Sequence, residues 1–202
     1  MTDVYRTIRG TSVCEIKEKG SRFIAEATDV RSEDAAMAFL ADVRQCEHGA
    51  THHCWAYRLG PGGDRFRYND DGEPSGTAGQ PILRQIDALE LTNALVVVTR
   101  YFGGTKLGTG GLLRAYGDAA AEALEAAQIV QRVIRVPLRL IFGYEDTSPA
   151  MQVLSRFEAK EIDARYAEET ELVIGVRTSE VEAFTAAFTE ALGGRGSVAN
   201  GE

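Results

Sequence analysis

The sequence lacks an apolar run long enough to cross a lipid bilayer. A spanning helix needs about 20 consecutive apolar residues, whereas the uncharged stretch at 91–99 contains nine. The first six residues, Met-Thr-Asp-Val-Tyr-Arg, also lack the apolar core of a signal peptide. We therefore expect a cytoplasmic protein that does not insert into a membrane.

Cysteine is scarce, with only Cys14, Cys46 and Cys54 among 202 residues. An odd number of cysteines cannot all pair, and an unexported chain keeps its thiols reduced. We therefore expect free thiols and no disulfide framework.

An excess of positive charge is also missing. The chain has 22 Lys and Arg against 30 Asp and Glu, which gives a net charge of −8. Proteins that coat nucleic acids are usually basic. An RNA-binding role would therefore depend on a local basic face.

Low-complexity tracts and internal repeats are absent, and the residue patterns predict an α+β protein with two domains, 1–130 and 131–202. The first half contains predicted hairpins at 11–30 and 51–68, a helix capped by Ser32, a central strand at 95–99 and a helix at 111–128. The second half follows the order β-α-β-β-α with a short last strand near 197–198, which is a ferredoxin-like pattern. Pro137 predicts an edge position for the first of these strands.

The densest motif is the segment 100–111, whose last nine residues include five glycines. It lies between a predicted strand and a predicted helix, where bare amides can hold a phosphate or carboxylate. A P-loop requires lysine where Thr109 stands, and a dinucleotide fingerprint requires glycine where Leu113 stands. Glycines also suit a tight turn with close packing, so both interpretations stay open. The candidate anion-binding residues are Arg100, Gly103, Gly104, Lys106, Gly108, Thr109, Gly110, Gly111 and Arg114.

Two other stretches are rich in polar groups, 69–81 and 51–58. The first has three carboxylates in four residues, but Arg67 stands where an EF-hand needs its first ligand. It is typical of a turn before a helix, with a metal site or an acid/base pair as alternatives. In the second, His52 and Cys54 share one strand face, without zinc-site spacing, and a catalytic Cys-His pair is the alternative to a structural role. The candidate polar-site residues are His52, His53, Asp70, Asp71, Glu73 and Thr77, and we expect neither metal nor cofactor.

Four segments in the first half carry a family resemblance. They are Ser-Arg-Phe-Ile (21–24), Thr-His-His-Cys (51–54), Asp-Asp-Gly-Glu-Pro (70–74) with Gly-Thr-Ala-Gly (76–79), and Val-Thr-Arg-Tyr-Phe-Gly-Gly (98–104) with Leu-Gly-Thr-Gly-Gly-Leu (107–112). Together and in this order they resemble the motifs of the YigZ/Impact family. The second half is similar to the extra C-terminal domain of bacterial members, which itself resembles the last domain of elongation factor G.

The resemblance implies a fold and a field of activity. The first domain is expected to share the fold of a small-subunit ribosomal protein, of elongation factor G domain IV and of sugar-type kinases, with a left-handed crossover. Eukaryotic Impact proteins regulate translation by competing for the activator of an initiation-factor kinase. The phosphate loop of the kinases has paired serines that are absent at 107–112, which counts against a kinase.

The leading functional hypothesis is a non-catalytic protein of translation or the stress response. It would contact RNA, the ribosome or a ribosome-associated partner through a basic face of Arg100, Lys106 and Arg114, with Lys19 and Arg22. The alternative is an enzyme for a phosphorylated or carboxylate metabolite, with the glycine-rich segment as its anion site.

Overall fold

A computed structural model describes residues 3–201 and confirms a mixed α and β chain with two domains. Contacts separate Tyr5–Arg132 from a second unit that begins at Val133 and also includes Asp3 and Val4. The sequence prediction placed the boundary at 130/131 and the whole N-terminus in the first domain. No helix within the described residues is long and apolar enough to cross a membrane.

The first unit is built on an antiparallel five-stranded sheet in the order β2-β3-β6-β4-β5. Both β3 and β4 run antiparallel to β6, so they are parallel to each other and the chain crosses between them through α1. A separate two-stranded sheet joins β1 and β7. The elements are β1 (Val4–Arg9), β2 (Thr11–Glu18), β3 (Ser21–Asp29), α1 (Glu33–Cys46), β4 (His52–Leu59), β5 (Arg65–Asn69), α2 (Gly79–Ala88), β6 (Ala94–Tyr101), α3 (Gly108–Glu125) and β7 (Gln128–Val133).

Helices cover both faces of this sheet at its central strand β6, which is apolar on both sides. Leu95 and Val97 face α1 together with Trp55 and Tyr57. Val96 and Val98 face α2 and α3, whose contact surface is rich in alanine and admits close packing. Residue 100 continues the same alternation and therefore lies on the face covered by α2 and α3.

The second unit is a four-stranded antiparallel sheet in the order β11-β8-β10-β9. This order confirms the predicted ferredoxin-like pattern. Phe142, Phe184 and Phe188 form the aromatic centre of its core. The elements are β8 (Arg135–Gly143), α4 (Thr147–Arg156), β9 (Lys160–Tyr166), β10 (Glu169–Arg177), α5 (Val181–Ala191) and β11 (Ser197–Asn200).

The edge position predicted from Pro137 is wrong. Its strand β8 is paired on both sides, but β11 pairs only with residues from Leu138 to Ile141. The carbonyl of Pro137 accepts from the amide of Gly201 beyond the end of β11. In a strand, the carbonyl and the amide of one residue point to the same side. The position of the N–H that Pro137 lacks therefore faces the chain beyond the end of β11, where the ladder has ended.

An ion pair between the buried Asp146 and the largely exposed Arg195 holds the start of α4. The Arg195 guanidinium donates to both carboxylate oxygens of Asp146 at 3.0 and 2.6 Å, and these hydrogen bonds lower the pKa of Asp146 below its ordinary value. The pair therefore stabilises the fold above the unfolded aspartate pKa of about 3.9 and loses this effect as pH falls through the lower folded pKa.

We expect Asp146→Asn to lower the melting temperature of the second unit at pH 7. The deficit relative to the parent protein should shrink below about pH 4, since the parent then loses the same interaction. Calorimetry from pH 7 to pH 2 measures this, with the exposed Glu168→Gln as control. A deficit that stays constant over the whole range would contradict the assignment.

Candidate functional site

Four polar side chains from different elements meet on the face of the sheet covered by α2 and α3. Arg100 lies near the end of β6, and the register places His52 of β4 and Phe23 of β3 on either side of it. Glu73 comes from the loop before α2, and Tyr116 comes from the middle of α3. The sheet, the loop before α2 and helix α3 therefore position one polar cluster.

Glu73 is the centre of this cluster. Its Oε1 accepts from Nη1 of Arg100 at 2.5 Å and from the hydroxyl of Tyr116 at 2.7 Å, while Nε2 of His52 lies 3.9 Å away. The Glu73 and Arg100 side chains are only 5% and 6% exposed. A buried pair of this kind requires mutual neutralisation, since each isolated charge would be costly.

Arg100 has further neighbours that fix its plane. Its Nη2 donates to Oγ of Ser21 at 3.3 Å, and the same oxygen accepts from the amide of Gly103 at 3.2 Å. The guanidinium lies 5.4 Å from the ring of Phe23 and 5.5 Å from that of Phe102. Its Nε is buried and has no hydrogen-bond partner within residues 3–201.

A pocket of about 370 Å³ opens beside the cluster. Glu73 and Arg100 form its buried polar part, and the start of α3 at Gly108 and Thr109 forms another wall. Its remaining lining is Pro74, Phe102, Lys106, Leu107 and Leu112. The glycine-rich segment and one carboxylate of the acidic stretch therefore share a cavity.

The other two carboxylates of that stretch bind the protein itself. Asp70 accepts from the amides of Gly76, Ala78 and Gly79, and so closes the loop before α2. Asp71 accepts from Nη2 of Arg44 and from the amide of His53. No group of three metal-ligating side chains is arranged for an ion in the part of the chain that the structure describes.

The histidines and Thr77 also separate. His53 lies on the α1 face of the sheet, and its Nε2 is 3.2 Å from the carbonyl oxygen of Glu47. Thr77 is buried and donates to the carbonyl of Pro74. Of the two histidines, only His52 reaches the Glu73 cluster, and its Nδ1 is 2.8 Å from the carbonyl oxygen of Asp71.

Cys54 does not provide a nucleophile. Its thiol is buried and donates to the carbonyl of Asp70 at 3.1 Å, and burial raises its pKa far above the ordinary value. Burial also raises the pKa of Tyr116, with the Cys54 thiol and Glu73 adding to the effect. Tyr116 therefore stays protonated and donates to Glu73.

The glycines of the segment 103–111 have different roles. A Cβ on Gly103 would lie 1.9 Å from the carbonyl carbon of Gly20, so this position needs close backbone approach. A Cβ on Gly111 would lie 2.9 Å from Cβ of Leu107. Gly104 and Gly108 have positive φ, at 85° and 71°. Gly110 has neither constraint and faces open space.

The basic residues proposed for this face are divided. Arg100 is buried and paired with Glu73, and so is not a free surface charge. Arg114 is exposed but lines a separate pocket between α2 and α3. Lys106 is exposed beside the main pocket.

The site also includes three residues that the sequence patterns do not indicate, Ser21, Phe102 and Tyr116. Tyr116 falls among the buried apolar residues of α3, which hides its hydroxyl in the sequence. One signal was available: Arg100 follows a run of buried β6 residues, and an arginine there requires a buried carboxylate.

Comparison with known proteins covers both units. The profile of the Impact N-terminal domain matches residues 19–124, and that of a domain of unknown function matches residues 140–195. A crystal structure of a hypothetical protein superimposes with a TM-score of 0.76 at 29% identity, covering 100% of this chain and 99% of that one.

Curated relatives extend over nearly the full length. The IMPACT family member YvyE of Bacillus subtilis is 37% identical, covering 100% of this chain and 93% of its own. The IMPACT family member YigZ of Escherichia coli is 34% identical, covering 89% and 88%. A Saccharomyces cerevisiae protein IMPACT homolog is 36% identical over 46% of this chain and 37% of its own. With its first unit matched by the Impact profile and its whole length by a bacterial member, the chain belongs to the IMPACT family.

Proposed function

We propose that this protein is a cytoplasmic, non-catalytic binding protein of translation or the stress response that contacts RNA, free or within the ribosome. The contact surface is the glycine-loop face, which comprises Lys19, Phe102 and Lys106 with the segment 103–110. Membership of a family with eukaryotic IMPACT homologs supports the link with translation.

One observation carries the proposal. Gly20 and Gly103 touch through their backbones, so the turn that bears Lys19 lies against the loop that bears Lys106. Both lysines are exposed and form no ion pair within the described residues. Phe102, 48% exposed, adds an aromatic side chain on which a base can stack.

The net charge of −8 is compatible with such a face. Exposed charges are largely screened beyond about 8 Å at physiological ionic strength, so distant carboxylates weaken a local phosphate contact little. Two carboxylates lie nearer: Glu15, at 3.8 Å from Arg22, and Glu73, which lines the pocket beside Lys106 and is paired with Arg100. Lys19 and Lys106 therefore supply the main positive charge of the face.

We expect the double variant Lys19→Glu with Lys106→Glu to lose at least about tenfold in affinity for structured RNA at low salt. The slope of log affinity against log salt should become shallower by about 1.4 to 1.8, since two phosphate contacts are lost. Filter binding over a salt series measures both quantities.

A matched control carries the same change of charge on the second unit. Lys160→Glu with Arg165→Glu alters two exposed cations of β9 and should leave affinity and slope nearly unchanged. Equal weakening by both double variants, or no RNA binding by the parent protein, would overturn the proposal.

An enzyme for a phosphorylated or carboxylate metabolite is the second candidate, favoured by the pocket beside Glu73. Of Asp71, Glu73 and His53, Glu73 is the acid/base candidate that lines this pocket. Sugar phosphates and carboxylates that bind the native state would raise the melting temperature. Product analysis for each stabilising compound then separates turnover from binding.

A further inference from the structure

We propose that the pocket beside Glu73 holds a single nucleotide, with its base against Glu73 and Arg100 and its phosphate at the start of α3. As an unstacked nucleotide of a bound RNA, this ligand rests on the proposed function. A free nucleoside monophosphate offers the same chemistry, and the experiment below separates the two sources.

The size and walls of the pocket fit a planar base. Its volume of about 370 Å³ falls within the range of about 300–1,000 Å³ typical of small-molecule sites. Pro74, Leu107 and Leu112 provide apolar walls, and Phe102 is the aromatic side chain among them. Unpaired bases are commonly held by stacking on such side chains.

The buried part of the pocket has hydrogen-bonding capacity that the protein does not use. Both hydrogen bonds of the Glu73 carboxylate within the described residues go to Oε1, which leaves Oε2 as an acceptor. The Nε–H of Arg100 is a buried donor without a partner. Buried polar groups are normally paired, and a base edge with an exocyclic amino group beside a ring-nitrogen acceptor satisfies both.

The opposite wall suits an anion. The first amides of α3 have no partner within the helix and carry its positive dipole end. Lys106 lines the pocket beside them. The pocket therefore pairs a neutral polar end with a positive one.

The free carboxylate oxygen sets a base preference. Adenine, guanine and cytosine carry an exocyclic amino donor, whereas the N–H of uracil lies between two carbonyls that the carboxylate repels. We therefore expect adenosine, guanosine and cytidine monophosphates to bind at least about fivefold more tightly than uridine monophosphate, by the tenfold-per-1.4 kcal/mol scale.

Calorimetry on the full chain tests the inference with the four nucleoside monophosphates, inorganic phosphate, and short RNAs with or without one abasic position. Thr109→Trp places bulk at the pocket wall without removing a buried contact, and should weaken nucleotide binding at least about tenfold. Thr189→Trp adds the same bulk to an exposed position of α5 in the second unit and should change little.

The possible results distinguish a nucleotide site in the pocket from RNA contact at the glycine-loop face. RNA binding that is unaffected by Thr109→Trp and by the abasic position, without monophosphate binding, overturns the pocket but leaves the proposed function intact. Monophosphate binding without RNA binding overturns the proposed function and identifies a free nucleotide as the ligand. Inorganic phosphate that binds as tightly as the nucleotides overturns the base site.

Discussion

Glu73→Ala is expected to lower the free energy of unfolding of the first unit by about 3–5 kcal/mol, the range for breaking a buried ion pair. The substitution leaves the guanidinium of Arg100, 6% exposed, without its 2.5 Å partner. It also leaves the Tyr116 hydroxyl, whose pKa is raised by burial, without an acceptor. The loss is therefore the cost of stranded polar groups.

Urea unfolding followed by tryptophan fluorescence measures this prediction. Trp55 is the one tryptophan of the chain and is buried in the first unit, so its signal reports on that unit. Glu73→Leu combined with Arg100→Leu is the informative control, because apolar replacement of both partners is often neutral. A double variant that loses as much stability as the sum of both single variants would contradict the coupling.

Gly103→Ala is expected to cost about 3 kcal/mol or more, at or beyond the usual range for overpacking. The new Cβ would lie 1.9 Å from the carbonyl carbon of Gly20 and 2.3 Å from the amide nitrogen of Ser21. These are backbone atoms of the turn between β2 and β3, so rotamer changes cannot relieve the overlap. The two loops must separate, which also disturbs the hydrogen bond from Gly103 to Ser21.

Neighbouring glycines supply the controls for this prediction. Gly104→Ala meets open space and bears only the strain of its positive φ, about 1–2 kcal/mol. Gly110→Ala is expected to raise stability by up to about 1 kcal/mol through helix propensity. The same fluorescence measurement applies, and a loss for Gly103→Ala no larger than that for Gly104→Ala would show that the contact is not needed.

Local patterns predicted most of the fold correctly. The Ser32 cap of α1, the β4–β5 hairpin, the central strand β6 and the order of the second unit all depend on neighbouring residues or simple periodicity. The sheet of β1 and β7 was missed, because it pairs short strands from opposite ends of the first unit. The start of α3 at Gly108 was also missed, since glycines carry no apolar period.

The candidate site was predictable as a set of segments, whereas the roles of its residues were not. Asp70, Asp71 and Glu73 are nearly adjacent and chemically alike in the sequence. Only the path of the loop decides that Asp70 meets backbone amides while Glu73 meets Arg100. Long-range geometry of this kind leaves no trace in spacing.

The second unit is discontinuous in the sequence, which has a practical consequence for dissecting the protein. Asp3 accepts from the amide of Ile134 at 2.7 Å and from the amide of Ser179 at 3.0 Å. A fragment that begins at Val133 lacks both interactions, although it includes every strand of the four-stranded sheet. A single peptide-bond cleavage at the unit boundary therefore cannot release the second unit with its complete set of contacts.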